Sequence, residues 1–278
     1  MSRGVVLFAF NNKAINYVEQ AEFCCKKIQK HLQLPVTIVT ADKVPNKDLF
    51  DKIIVIPKEE NQTRNFYDGD TKQKAFWNNK SRTSAYDLSP YDETIVMDTD
   101  FIVQNDLLLK VFGKGHDFLI NQEAQHLDFE SNMTDEMKYI SDSGIKMCWA
   151  TVFYFQKCDR VRRLFTLINH IKDHWSFYRF RYQLLQNTYR NDFAFAIALH
   201  IINGHMKSDW PIQLPIKLFY ITDRDKIVSY KDNTWKFKLQ GELDCKIEDM
   251  NIHVMNKIGL MKVITVSYTH LTLPTTPV

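Results

Sequence analysis

Four short apolar runs in the first hundred residues restrict the fold of this chain more than any other feature. They are Val5–Phe10, Pro35–Thr40 (PVTIVT), Lys52–Ile56 (KIIVI, closed by Pro57) and Thr94–Met97 (TIVM). None alternates cleanly with polar residues, so each is expected to be a strand buried on both faces. Between the first two, Ile15, Val18, Ala21, Phe23, Cys25, Ile28 and Leu32 recur at roughly helical spacing across Ala14–Leu32. A second helix is expected over Thr71–Leu88, stopping at Ser89-Pro90 because the residue before proline disfavours the α region. Buried strands alternating with helices specify an α/β fold, Rossmann-like, with a mostly parallel central sheet flanked by helices.

The second half is more mixed. Strands are expected at Asp117–Asn121, Thr151–Phe155, Ile216–Ile221, Lys226–Tyr230, Trp235–Leu239 and Asn251–Met255. Helices are expected at Val161–His174 and Phe177–Tyr189, and from an Asn191 cap to a Gly204 stop. No repeat or linker interrupts the 278 residues, so one domain over residues 1–265 with an elaborated C-terminal half is the simplest organisation. The tail 266–278, VSYTHLTLPTTPV, has no Asp, Glu, Lys or Arg. It resembles an in-frame translation of a sequencing adapter, with a Thr-rich strand as the alternative. The expectation is a non-native tail on a natural chain truncated after Thr265.

Several function classes are poor fits. Glycine and proline number 8 each, and neither GxxxxGK[ST] nor GxGxxG occurs, which disfavours Walker ATPases and dinucleotide dehydrogenases. A net charge of +3 implies neither nucleic-acid nor membrane-surface binding. The 5 cysteines are odd in number and include no CxxC pair, which suits a reducing compartment. The run Val5–Phe10 is too short for a signal core or a membrane span, so a cytoplasmic location is expected. The sequons at Asn61 and Asn132 therefore carry no weight.

Chemistry concentrates where the fourth run ends. Asp98 and Asp100 stand two apart, so at strand period they share a face, and strand C-termini of open α/β sheets border the ligand crevice. Two carboxylates so placed repel unless a cation or proton intervenes, and a hard divalent ion bridging them to a diphosphate is the natural partner. A solvated loop start is the alternative. His170 and His174 have the spacing of a zinc pair but lack the HExxH glutamate, and read as surface residues. Cys24-Cys25 reads as inert. The basic, aromatic stretch Trp175–Tyr189 either packs or touches an acceptor polymer.

The segment 80–106, KSRTSAYDLSPYDETIVMDTDFIVQND, resembles the heart of the GT-A nucleotide-sugar glycosyltransferases. Asn251-Ile-His253-Val-Met-Asn256-Lys257 is similar to the late histidine and downstream lysine of glycogenin-like and related retaining galactosyltransferases. The organisation also resembles glycosyltransferases encoded by tailed phages, which would place the protein in a host cytoplasm. The resemblance implies a GT-A fold and a hexosyltransferase-like enzyme dependent on Mn²⁺ (or Mg²⁺). Its donor would be a UDP-sugar, and its acceptor a glycan, protein or other hydroxyl. Asp98 would meet ribose and metal, Asp100 and His253 would ligate the metal, and Lys257 would meet the diphosphate. An imidazole beside carboxylates favours Mn²⁺ over Mg²⁺. The sequence departs from the pattern in lacking the usual glycine between His253 and Lys257 and the Pro-Trp beyond.

The same resemblance places Phe10, Asn11 and Asn12 at the base and ribose, with Asp42 in a similar role. It places Lys80 and Arg82 at the donor. Each has a structural alternative: a helix cap for Asn11 or Asn12, a turn for Asp42, a solvated helix face for Lys80 and Arg82. On the acceptor side, Cys148–Phe155 resembles the strand lining the sugar pocket, and Gln122 would meet sugar or acceptor. Asn191-Asp192 resembles the acidic helix start near the reaction centre, where Asp192 would orient a hydroxyl or take a proton. Ordinary first-turn charge is the alternative for Asp192. Two other classes stay open: a haloacid-dehalogenase-type phosphatase, although Ile102 stands where Thr or Val is usual, and a non-catalytic GT-A-like binding module.

Overall fold

The computed structural model describes residues 1–59, 62–128, 138–140 and 144–272, with side chains through Val266. Asn61 and Asn132 of the two sequons and the end of the tail lie outside the described residues. The chain opens with β1 (Arg3–Phe8), α1 (Tyr17–His31), β2 (Val36–Thr40), β3 (Lys52–Val55), β4 (Thr63–Asp68) and β5 (Thr71–Phe76). It continues through α2 (Ala85–Leu88), β6 (Glu93–Met97), β7 (Phe101–Ile102), β8 (Phe118–Asn121), β9 (Ala124–His126) and β10 (Trp149–Gln156). Helices α3 (Asp159–Asp173), α4 (Trp175–Arg181) and α5 (Asn191–Ile202) follow. Then come β11 (Leu218–Ile221), β12 (Lys226–Lys231), β13 (Thr234–Leu239), β14 (Leu243–Glu248), β15 (Ile252–Val254) and α6 (Lys257–Thr272).

The main sheet has the order β3-β2-β1-β6-β10-β8. Its first four strands are mutually parallel, and β10 runs antiparallel to both neighbours. The expected α/β architecture with a mostly parallel sheet is therefore present. The first, second and fourth apolar runs supply its centre: Val5, Val6, Leu7, Ile38, Val39, Ile95, Val96 and Met97 are fully buried. The third run is not buried on both faces as expected: it forms the edge strand β3, where Ile53 and Ile54 are half-buried and Val55 is 73% exposed. A second sheet, β7-β15-β11-β9, adjoins it. The meander β12-β13-β14 packs Trp235, Phe237 and Leu239 against Ile102, Ile252 and Leu260 in a satellite core. Among the described residues no helix is long and apolar enough to cross a membrane.

Three sequence expectations need correction. The helix expected over Thr71–Leu88 is instead strand β5, a 3₁₀ turn at Lys80–Ser84 and the single turn α2. β5 pairs with β4 around Gly69, whose φ of 59° suits a tight hairpin turn, and that pairing outweighs helical propensity. The helix expected over Phe177–Tyr189 ends at Arg181, where Gln183 turns left-handed at φ 54°. Asn191 is the first helical residue of α5, and extended Arg190 precedes it. The Asn191 side chain instead accepts from Tyr189 Oη–H (3.2 Å) and donates to the Asn79 carbonyl (2.8 Å).

Candidate active site

The two sheets meet at Asp98-Thr99-Asp100. β6 ends at Met97, where Asp98 N–H still reaches the Thr151 carbonyl of β10 at 2.8 Å. The Phe101 N–H then closes a turn on the Asp98 carbonyl (3.1 Å), and the chain enters the second sheet as β7. There β15 lies antiparallel, pairing His253 with Phe101, while Val254 N–H donates to the Asp100 carbonyl at 2.9 Å. That register brings His253 Nε2 to 3.3 Å from Asp100 Oδ2, and its Nδ1 lies 3.3 Å from Thr151 Oγ1. Asp98, Asp100 and His253 each offer a ligand atom, all within 4.8 Å of one another. Among the described residues this is the one place where three such ligands converge. Two carboxylates and an imidazole fit a divalent ion of the Mn²⁺ type.

Both carboxylates already hold cations of the chain. Lys257 Nζ donates to Asp100 Oδ2, and Arg82 is ion-paired with Asp98 Oδ1. Arg82 Nη1 also donates to the Ala150 carbonyl at 2.6 Å. Asp100 is 1% exposed; that burial opposes its charge, but Lys257 and His253 outweigh it and hold the carboxyl well below the usual range. Burial lowers the Lys257 ammonium pKa, and Asp100 works against that shift. Burial also pulls Arg82 down to about 10, with Asp192 and Asp100 opposing, so the guanidinium is charged at neutral pH.

Lys257 is delivered by an unanticipated structure. Asn256 Oδ1 accepts from Gly259 N–H (2.7 Å), capping helix α6, of which Lys257 is the first residue. Gln20 of α1 donates to the Lys257 carbonyl (3.2 Å) and accepts from Thr99 Oγ1–H (3.3 Å). One buried glutamine thus ties the lysine's backbone to the turn between the two aspartates.

These groups line a cavity of about 640 Å³ at the C-terminal edge of the parallel strands. Phe8, Phe10 and Tyr17 form one wall, Arg64 and Trp77 of the β4–β5 hairpin another, and Trp149 and Tyr220 a third. Burial, and then the Asp100 charge, keeps Tyr17 a neutral phenol. Asp192 faces the cavity with both oxygens engaged: Oδ1 accepts from Ala150 N–H (2.9 Å), and Oδ2 pairs with Arg190 (2.7 Å).

Of the residues singled out in the sequence, Phe10, Arg82, Asp98, Asp100, Asn191, Asp192, His253 and Lys257 share this cavity. Asn11, Asn12, Asp42, Lys80 and Gln122 are not in its lining. Asn11 Oδ1 accepts from Val18 N–H (2.9 Å), and Asn12 Oδ1 accepts from Ala14 and Ile15 N–H (2.8 Å each). Asp42 holds Lys58 at 2.6 Å and accepts from Asn11 N–H at 2.8 Å. Gln122 N–H donates to Gln213 Oε1 (2.9 Å). Lys80 sits in the 3₁₀ turn, partly buried. Arg64 and Trp77 were missed because their segment reads as irregular chain and helix; Asp68-Gly69 was the available hairpin signal. Arg64 lies 5.1 Å over the Trp77 ring and is ion-paired with Asp223 at 3.9 Å.

Trp149 and Thr151 of the Cys148–Phe155 strand and Gln186 and Thr188 of the Trp175–Tyr189 stretch also line the cavity, whereas the histidine pair and the cysteines do not. His170 and His174 lie with ring centroids 4.2 Å apart, tilted by 31°. All five cysteines are free; burial pushes the Cys24 and Cys25 thiols up, Cys25 to about 12.

No family model and no curated protein matches the chain. Among solved structures it is similar to the glycosyltransferase GlyE of Streptococcus pneumoniae TIGR4, at 15% identity and a TM-score of 0.43, covering 73% of this chain and 43% of that one. The apo form of GlyE gives 13% identity and a TM-score of 0.40, covering 72% and 43%. The chain spans less than half the length of those proteins.

Proposed function

We propose that this chain is a metal-dependent glycosyltransferase of the GT-A type, moving a sugar from a UDP-sugar to an acceptor hydroxyl. The observation that carries the reading is the convergence of Asp98, Asp100 and His253 with Lys257 and Arg82 at the C-terminal edge of the parallel strands. A phosphate-bearing ligand needs positive charge, and the cavity presents Arg64, Arg82, Arg190 and Lys257 on four separate segments.

In the reaction the bond from the sugar's anomeric carbon to the diphosphate oxygen breaks, a bond to the acceptor oxygen forms, and the acceptor hydroxyl gives up its proton to the departing diphosphate or to solvent water. Mn²⁺ (or Mg²⁺), held by Asp98, Asp100 and His253, would supply Lewis-acid neutralisation of the departing diphosphate. Lys257 would add positive charge toward the same diphosphate, where burial makes it count for more than in water. Arg82 holds Asp98 in place through its second bond to the Ala150 carbonyl. Asp192, held by Arg190 and Ala150 N–H, would orient a sugar or acceptor hydroxyl rather than swing freely as a base.

The test is calorimetric titration of UDP, with and without Mn²⁺, into wild type and Asp100→Ala. Metal-dependent binding that Asp100→Ala abolishes is the expected result and would justify screening UDP-sugars for turnover. A folded protein that binds UDP in neither condition overturns the UDP assignment.

A further inference from the structure

Asp100 Oδ2 serves two partners, the Lys257 ammonium and His253 Nε2. It is also an oxygen that a divalent ion at the Asp98–Asp100–His253 set would use. The charges of the cluster already cancel, since Arg82 answers Asp98 and Lys257 answers Asp100. A dication cannot join such a balanced set cheaply unless one resident cation withdraws or new negative charge arrives.

The two resident cations differ in freedom. Arg82 is held by a second bond to the Ala150 carbonyl. Lys257 has its backbone fixed by Gln20 and by the helix start that Asn256 caps, but its ammonium has Asp100 as its carboxylate partner. An ammonium on a four-carbon stem can reorient without moving that backbone. Among the described residues, the cavity wall around it carries Arg64 and Arg82 but no further acidic side chain except Asp98 and Asp192, both already ion-paired.

We propose that Lys257 is a resident counter-ion that a divalent cation must displace from Asp100, and that the displaced ammonium becomes an anion-binding group of the same cavity. The inference rests on the metal-dependent reading and deepens it. Cation and diphosphate then bind with positive coupling: each removes the penalty the other faces, and the coupling is reciprocal.

The experiment measures Mn²⁺ binding by electron paramagnetic resonance and UDP binding by calorimetry, on wild type, Lys257→Met, Lys257→Arg and Asp100→Ala. Circular dichroism melts establish that each variant is folded. In wild type, saturating UDP is expected to tighten Mn²⁺ by about 10- to 100-fold, the ordinary range of coupling between sites. Lys257→Met should bind Mn²⁺ alone roughly tenfold more tightly than wild type and lose most of the coupling to UDP. Lys257→Arg should restore both the competition and the coupling. Unchanged or weaker Mn²⁺ binding by folded Lys257→Met, with Asp100→Ala still abolishing it, overturns this inference and leaves the proposed function standing. Absence of Mn²⁺ binding by every protein, with UDP present, overturns both.

Discussion

Replacing Asp225 with alanine should destabilise the protein severely although the residue lies outside the cavity lining. Its carboxylate is 1% exposed and accepts four hydrogen bonds. Oδ2 takes Thr222 N–H (2.7 Å), Thr222 Oγ1–H (2.7 Å) and His126 Nε2 (2.8 Å), and Oδ1 takes Gln240 N–H (2.8 Å). Alanine would strand two backbone donors, a hydroxyl and an imidazole that is also paired with Asp128 at 3.0 Å. A buried group left unsatisfied costs about 1–3 kcal/mol, and breaking a buried ion pair about 3–5 kcal/mol. Because the stranded donors share one relaxation, the expected total is about 3–5 kcal/mol, on the order of 10 °C in melting temperature for a chain of this size.

The pH dependence of this cluster has two signs. Burial opposes the Asp225 charge, but His126, Gln240 N–H and Thr222 hold its pKa below the ordinary aspartate value of 3.8, so its contribution is present above that value and lost as pH falls through the folded pKa. Burial opposes the His126 charge too, yet Asp225 and Asp128 raise its pKa above the ordinary histidine value of 6.5. That contribution is full below 6.5 and lost as pH rises through the folded value. Urea unfolding of wild type and Asp225→Ala at several pH values should therefore show the largest gap between these limits, narrowing toward alkaline pH. A gap under about 1 kcal/mol, or one that widens as pH rises, refutes the account.

Two further predictions concern packing and titration. At Gly4 a methyl group would come within 2.3 Å of the Tyr91 ring, which is held by the Thr37 hydroxyl at 2.9 Å, so Gly4→Ala should cost at least about 1–3 kcal/mol by thermal melt. A melting temperature equal to wild type would mean that Tyr91 moves aside freely. Burial, and then Lys30, pulls the Lys27 ammonium down to about 8, so the folded state binds fewer protons than the unfolded chain between that value and 10.5. Stability should carry a rising contribution across that interval, and Lys27→Met should remove it in a pH series of urea midpoints.

The parallel half of the fold is legible because β1, β2 and β6 are self-contained apolar runs whose burial on both faces leaves no other use for them, and the half-exposed edge strand β3 carries the same apolar signal. The Asp98–Asp100 pair is legible for the same reason: it stands where such a run stops. The β4–β5 hairpin is not, because its outward residues Lys72, Gln73 and Lys74 are exposed and carry no burial signal, so helical propensity fills the gap. Asn11, Asn12 and Asp42 illustrate a different loss. Short polar side chains after a strand bond the local backbone as readily as a ligand, and only coordinates show which use prevails.

His253 and Lys257 reach Asp100 across more than 150 residues of chain, and the elements between explain how. β15 is pinned between β7 and β11, and its outer side is covered by Trp235, Phe237 and Leu239 of the meander. Asn256, fully buried, then donates to Asp68 of the hairpin (2.9 Å) and to the Asp225 carbonyl (2.8 Å) while it caps α6. The single residue before Lys257 thus joins the hairpin wall of the cavity, the Asp225–His126 cluster and the helix start. Loosening the meander should reach the cavity through Asn256 and shift Lys257 first. Asp98 and Asp100 hang on β6 and β7, with the Asp98 N–H bonded to β10, and should hold their places longer. Native-state hydrogen exchange on Asp225→Asn tests this directly: the amides of Gly259 and Leu260 should lose protection before those of Val96 and Met97. The reverse order would mean that the second sheet, not the first, is the rigid frame of the site.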